Sequence, residues 1–305
     1  MPKVKENKQK TAHQISCPSD FDYAFMLSFI QPRIIEGIES VHGSVYSRSF
    51  RFVLEEKSQT YAEGYFEVDY LTASNQLAVV IVTNIEQAIP EVLRRIHFMF
   101  DLETDMDSIS HVLAKDPVLQ KGLVDGKVPR MPKAFDEFEF CIRAILGQQV
   151  SVKAATTLAK RIAHTCDLKT PSSFPAGIQY FFPQCDDLLT KNYDGLGLTQ
   201  SRIDTLNVTV NALHAGEISL AKQQDFEALS KQWTALKGIG PWTVNYLAMR
   251  GLGIQDSFPD KDLGVLKALA DADGNYPSRK TVLEQAKAWQ PYRAYATLCL
   301  WNGLG

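Results

Sequence analysis

The 305-residue sequence has little that could bind a metal through sulfur: its five cysteines, Cys17, Cys141, Cys166, Cys185 and Cys299, are scattered, with no C-x-x-C pair. That spacing excludes a cysteine-ligated zinc or an iron–sulfur cluster, and the odd, dispersed set fits a reducing, intracellular setting. The six histidines form no H-E-x-x-H arrangement, so the usual helical zinc pair is absent too. No apolar run approaches the roughly eighteen residues of a membrane span. The opening MPKVKENKQK is charged and leads into no apolar signal core, so neither a membrane partner nor a secretory signal is expected. Excess charge of one sign is missing as well. Lys plus Arg number 32 against 35 Asp plus Glu, a net −3, so any nucleic-acid surface has to be local.

What is present is a chain long enough, at 45% hydrophobic, for two or three packed domains. Residues 1–14 hold four lysines against one glutamate and read as a disordered polar tail. PSDFDYAFMLSFIQPRI predicts a helix with Ser19 or Asp20 as its N-cap. Apolar alternation in SVYSRSFRFVLEE, AEGYFEVDYLT and NQLAVVIV predicts strands of a small antiparallel sheet. IEQAIPEVLRRIHFMFDL returns to helical spacing, and beyond about residue 104 only helices are expected. The fold class is therefore α+β, with strands and helices segregated along the chain.

Three segments of the helical part carry candidate chemistry. In LKGIGPWTVNYLAMRG, Leu236–Gly251, Gly238 and Gly240 permit a tight turn and Pro241 suits the first turn of a helix that Gly251 would end. The preceding helix is expected in DFEALSKQWTAL. Such a turn serves either as helix packing or as a phosphate site built from N–H groups. In DSFPDKDLGVLKAL, Asp260 or Asp262 can cap the helix starting at Leu263, and a carboxylate there can also be a fixed negative charge. In EFEFCIRAILGQQVSVKAATTLAKRI, Gln148, Gln149 and Ser151 interrupt two apolar helices. They form either a polar turn or a set of contacts to DNA.

Taken together, AILGQQVSVKAA, LKGIGPWTVNYLAMRG, DSFPDKDLGV and WQPYRAYATLCLW closely resemble the helix-hairpin-helix DNA glycosylase superfamily, in its branch that releases 3-methyladenine. The likeness runs from about Phe21 to Trp301 and includes FDYAFMLSFI and YSRSF. The resemblance implies a sheet domain followed by two all-α lobes, with the hairpin, about residues 225–250, gripping the DNA backbone. Gly238, Gly240, Thr243 and Lys237 would contact DNA there, together with Gln148, Gln149 and Ser151, while Lys231, Lys237 and Arg250 would make a local basic patch. It also implies Asp262, rather than Asp260, as the catalytic carboxylate, and Phe29, Trp242, Tyr246 and Trp301 as the pocket for a flipped, cationic base. A structural monovalent cation would sit on the carbonyls of Thr234, Leu236 and Ile239, and no cofactor would be required.

Two positions depart from the branch's pattern. Gln149 stands where a leucine wedge is expected, and Leu263 replaces an aromatic residue beside the aspartate. The lysine of strand-cleaving members is replaced by Trp242, which implies a monofunctional hydrolase leaving an abasic site. Arg293 would either support the aspartate or bridge helices, and bridging is the expectation. The implied partner is double-stranded DNA containing alkylated bases, met by a monomer in the cytoplasm or nucleoid. The implied domains are an N-terminal one at 15–112, a helical one with the hairpin at 137–254, and a second lobe from 113–136 plus 255–305. A glycosylase for oxidised or deaminated purines, or a non-catalytic damaged-DNA-binding protein, remains an alternative.

Overall fold

The computed structural model describes residues 9–54, 60–222 and 225–305. Five strands, β1 (Gln9–Ser16), β2 (Glu39–His42), β3 (Val45–Val53), β4 (Tyr61–Leu71) and β5 (Gln76–Thr83), form one antiparallel sheet in the order β1-β5-β4-β3-β2. Alternate residues of β4 and β5 are buried, among them Ala62, Phe66 and Val68, then Leu77, Val79 and Ile81. This period of two gives one face of the sheet to the core. The expected strands at 44–56, 62–72 and 75–82 are β3, β4 and β5, with ends shifted by a residue or more. Among the described residues no further strand follows Thr83.

The expectation of a disordered tail over residues 1–14 is corrected for residues 9–14, which belong to β1 and pair with β5, Gln9 opposite Thr83 and Ile15 opposite Leu77; residues 1–8 lie outside the described residues. The physical reason is that β1 is an edge strand. Only Ile15 is buried in it, so its sequence shows the polar character of a protected edge rather than a hydrophobic period. The first helix is Tyr23–Ile30, and its N-cap is Asp22, which accepts from Phe25 N at 2.9 Å, rather than Ser19 or Asp20. Tyr23 ties this helix to the sheet by donating to the carbonyls of Ser44 and Val68, both at 2.9 Å.

The chain divides into two units, one comprising the residues up to His97 together with Gln149–Ile203, the other Phe98–Gln148 together with Asp204–Gly305. This grouping differs from the three expected segments: the 137–254 stretch contributes to both units. The first unit holds the sheet, with the Tyr23–Ile30 and Val152–Thr165 helices. The second is helical. Its buried Asp101 accepts from Met131 N at 2.9 Å and from the Tyr295 hydroxyl at 2.8 Å, and forms an ion pair with Lys133. One carboxylate thereby joins separate stretches of chain, and each of its bonds offsets the cost of burying it.

Candidate active site

The second unit contains the hairpin and the aspartate. Asp225 caps the helix Phe226–Thr234, accepting from Ala228 N at 2.8 Å. A turn follows, and Pro241 occupies the first position of the helix Pro241–Tyr246, whose N-cap is Gly240. This helix continues as a π-helical turn, Leu247–Leu252, closed by Gly253 at φ 75° rather than by Gly251. Gly238 is the residue the turn cannot replace. Its φ is +88°, and a Cβ there would lie 1.9 Å from Thr205 Oγ1. Gly240 differs, because a Cβ would meet nothing within 4 Å. The space beside its backbone is open.

Gln148 braces the turn. Its side-chain amide nitrogen donates to the Gly238 carbonyl at 3.0 Å and to Thr243 Oγ1 at 2.9 Å. Lys237 is exposed, its ammonium 3.8 Å from Asp204. The expected basic patch is corrected at Arg250, which is 6% exposed and donates to the Pro132 carbonyl at 2.8 Å and the Tyr246 hydroxyl at 2.9 Å. The apolar environment of the π-helical turn puts that cation in the interior, where it needs partners. Lys231 and Lys237 are on the exposed surface.

The carbonyls of Thr234, Leu236 and Ile239 all belong to this turn, and Leu236 O also accepts from Ile239 N at 3.1 Å. Three neutral carbonyl oxygens, one with a lone pair already engaged, form a donor set that fits a weakly demanding monovalent cation better than a divalent one. No group of three or more His, Cys, Asp or Glu side chains suited to a metal occurs among the described residues.

Asp262 is the N-cap of the helix Leu263–Ala268. Its Oδ1 accepts from Gly264 N at 2.9 Å, from Val265 N at 3.1 Å and from the Trp301 indole N–H at 2.8 Å. Its Oδ2 accepts from the Trp242 indole N–H at 2.8 Å. The carboxylate is thus held between two helix-start amides and two indoles. Around it the aromatic side chains form a wall: Trp242 stacks on Tyr246 at 5.2 Å with 18° between the rings, and Tyr246 meets Trp301 edge-on at 6.0 Å. Phe140 also packs against Tyr246, tilted by 44° with ring centroids 5.1 Å apart. Of the four expected pocket residues, Trp242, Tyr246 and Trp301 therefore converge on Asp262. Phe29 belongs to the first unit, where the Arg33 guanidinium lies 3.7 Å above its ring.

The other acids of this loop are engaged elsewhere. Asp260 is 6% exposed and pairs with Arg279, whereas Asp256 takes Arg293 at 2.7 and 2.8 Å. Arg293 thus ties the start of the helix Arg293–Asn302 to the turn at Asp256 rather than joining two helices as expected. Leu263 is 56% exposed. Gln149 is exposed with φ +55°, and Ser151 caps the helix Val152–Thr165 by accepting from Ala154 N at 3.3 Å, both in the first unit.

Two contributors were not singled out from the sequence. Buried Asn245 donates to the Pro241 carbonyl at 2.9 Å and accepts from Phe258 N at 2.7 Å, linking the hairpin helix to the loop that ends at Asp262. A polar residue four positions after the helix-starting proline was its only trace. Gly264 leaves room for the indole, since a Cβ would lie 2.6 Å from Trp301 Cδ1 and 3.0 Å from Asp262 Oδ1.

Comparison with known proteins follows the same lines. The AlkA N-terminal domain model matches residues 14–136. A Mycobacterium tuberculosis protein described as a probable bifunctional transcriptional activator/DNA repair enzyme AlkA is 31% identical over 93% of this chain and 55% of its own length. The chain thus spans about half of that relative. The DNA-3-methyladenine glycosylase 2 of Escherichia coli is 29% identical over 92% of this chain and 93% of its own. Among solved structures, a 3-methyladenine DNA-glycosylase from Archaeoglobus fulgidus superposes with a TM-score of 0.76 at 20% identity, covering 95% of this chain and 97% of that one. The last likeness is one of fold.

Proposed function

From its likeness to AlkA-type proteins over most of its length, we propose that the chain is a helix-hairpin-helix DNA glycosylase that hydrolyses the N-glycosidic bond of alkylated purines in duplex DNA, of the 3-methyladenine type, leaving an abasic site. The observation that carries this reading is the Asp262 carboxylate, fixed by two indole N–H groups and two backbone amides beside an aromatic wall. The target nucleotide leaves the stack at a cost of a few kcal/mol, less for a damaged base. A cationic methylated purine gains about 0.5–2 kcal/mol from each aromatic face it meets.

As the glycosidic bond breaks, its electron pair departs with the base and positive charge grows on the sugar. Asp262 stabilises that charge, water adds to the sugar carbon, and the water's proton passes to the carboxylate or to solvent. The two oxygens are not equivalent: Oδ1 takes three N–H donors and Oδ2 one, so Oδ2 retains the lone pair for sugar or water. At the hairpin, Gly238, Gly240, Thr243 and Lys237 contact the phosphates; the carbonyls of Thr234, Leu236 and Ile239 would hold a monovalent cation, which would supply positive charge there. Gln149 fills the space of the flipped base, and Ser151 meets the backbone beside it. Trp242 occupies the nucleophilic-lysine position, so the strand stays intact. The enzyme acts as a monomer, inside the cell with its DNA, and needs no cofactor for the chemistry.

The test is release of free bases from methylated duplex DNA by wild type and Asp262→Asn, with abasic sites and strand breaks scored separately. The expected result is 3-methyladenine from the wild type, strands intact until alkali, and a fall of about 10²–10³-fold in the variant. Wild type that binds methylated duplex and releases nothing would instead make it a damaged-DNA-binding protein, and release confined to oxidised or deaminated purines would move the substrate class.

A further inference from the structure

A group of cations not used above lies on one helix of the first unit. Val152–Thr165, VKAATTLAKRIAHT, contains Lys153, Lys160, Arg161 and His164 and no acidic residue, in a chain of net charge −3. Its inner face is apolar and buried through Leu158, Ala159, Ile162 and Ala163. Lys153, Thr157, Lys160, Arg161 and His164 recur at steps of three and four and so share the outer face. Thr157, Lys160, Arg161, His164 and Thr165, with Leu196, line an open surface hollow of about 410 Å³.

The hollow is held in shape. Arg161 donates one Nη1–H to the Leu196 carbonyl at 2.7 Å, which orients the guanidinium while its other donors stay on an exposed side chain. His164 stacks on Tyr180 with centroids 4.1 Å apart. Lys160 sits 2.6 Å from a carboxylate oxygen of Glu36, whose own side chain is 79% exposed. An anionic oxygen therefore already rests on Lys160, carried by a side chain free to yield its place.

We propose that this hollow is a second contact to the DNA backbone, taking a phosphodiester of the duplex on Lys160 and Arg161, with Lys153 along the same face. The proposal rests on the DNA-glycosylase reading above. A guanidinium fork and an ammonium on adjacent residues match the charge and geometry of a phosphate, and the phosphate displaces the Glu36 carboxylate from Lys160. The same helix starts at Ser151, beside the exposed Gln149. Ten residues of helix span about 15 Å, or roughly four base-pair rises. Allowing for side-chain reach, the contacted phosphate lies within about six base pairs of the lesion.

Each phosphate contact contributes about 0.9 to the slope of log affinity against log salt. The experiment measures binding of full-length protein to a duplex with an abasic-site analogue across a potassium chloride series. Lys160→Gln/Arg161→Gln removes that one phosphate contact and is expected to lower the slope by about 0.9 and affinity at about 0.1 M salt by roughly eightfold. Single-turnover base release at saturating enzyme should stay unchanged, and protection of the one contacted phosphate, within those six base pairs, should disappear. Arg161→Lys keeps the charge and should keep the slope, which separates phosphate binding from anchoring of the Leu196 loop. If the double variant fails to fold, Lys160→Gln alone carries the test, with a fall in slope of up to about 0.9. An unchanged slope in folded variants of a wild type that binds and cleaves overturns the proposal alone. So does weaker binding of inorganic phosphate with DNA binding intact, which would mark a small-anion site. A wild type that neither binds DNA nor releases a base overturns both readings.

Discussion

At Gly264 the requirements of the helix start and of the indole meet in one place. The amide donates to Asp262 Oδ1 at 2.9 Å, and the missing side chain leaves the Trp301 ring room to donate to the same oxygen. A methyl group 2.6 Å from the ring must push the indole away. Gly264→Ala is therefore expected to break the Trp301 bond to Asp262 while the amide bond persists. A hydrogen bond to a charged group contributes about 1.5–3 kcal/mol, so base release should fall roughly 10- to 100-fold. Binding to abasic duplex should change less than about twofold, because the hairpin is untouched. Trp301→Phe removes the same donor without crowding and should give a loss of similar size. Single-turnover rates for the two variants check this, and a Gly264→Ala enzyme as fast as wild type would show the indole bond to be dispensable.

The hairpin separates two glycines that look alike in sequence. Gly238→Ala introduces both an unfavourable φ of +88° and a contact of 1.9 Å with Thr205, whereas Gly240→Ala introduces neither, its φ being −99°. Backbone strain of this kind costs on the order of 1–3 kcal/mol, so Gly238→Ala should lower the thermal midpoint by several degrees. Gly240→Ala should leave the midpoint unchanged and weaken DNA binding, because its methyl group fills the open space beside the amide. Melting curves and affinities for the two variants distinguish these outcomes, and equal melting with equal binding would remove both assignments. The turn, its proline and the aspartate cap were legible because each depends on local backbone chemistry. Asn245 was not, since its two partners, Pro241 and Phe258, are joined only by tertiary structure. Arg250 misled for the same reason: a lysine- and arginine-bearing stretch reads as surface until its helix is seen to turn that side chain inward.

Over the whole molecule, edges and long-range grouping were the hardest to read. Three central strands show hydrophobic alternation, but β1 and β2 border the sheet and hold mostly exposed or half-buried residues. The return of residues 149–203 to the unit containing the sheet leaves no local mark at all. Stability of that unit also depends on a charge arrangement with a definite pH signature. Glu91 accepts from Arg94 at 2.6 and 2.7 Å and from Arg95 at 2.7 Å, and the Arg95 guanidinium covers the ring of Phe52 on β3 at 4.4 Å. Burial pushes the Glu91 carboxyl up from its ordinary 4.5, but the two guanidinium groups outweigh it and hold the value at about 2. Between those values the unfolded chain binds a proton that the folded one does not, so stability falls as pH drops through the window and is fully present above it. The exposed part of this cluster is screened by solvent, which keeps the effect modest. Glu91→Gln should lower stability near neutral pH and flatten the decline between pH 4.5 and about 2. Urea midpoints measured across that range for both proteins test it, and parallel curves would assign the acid sensitivity to other carboxylates.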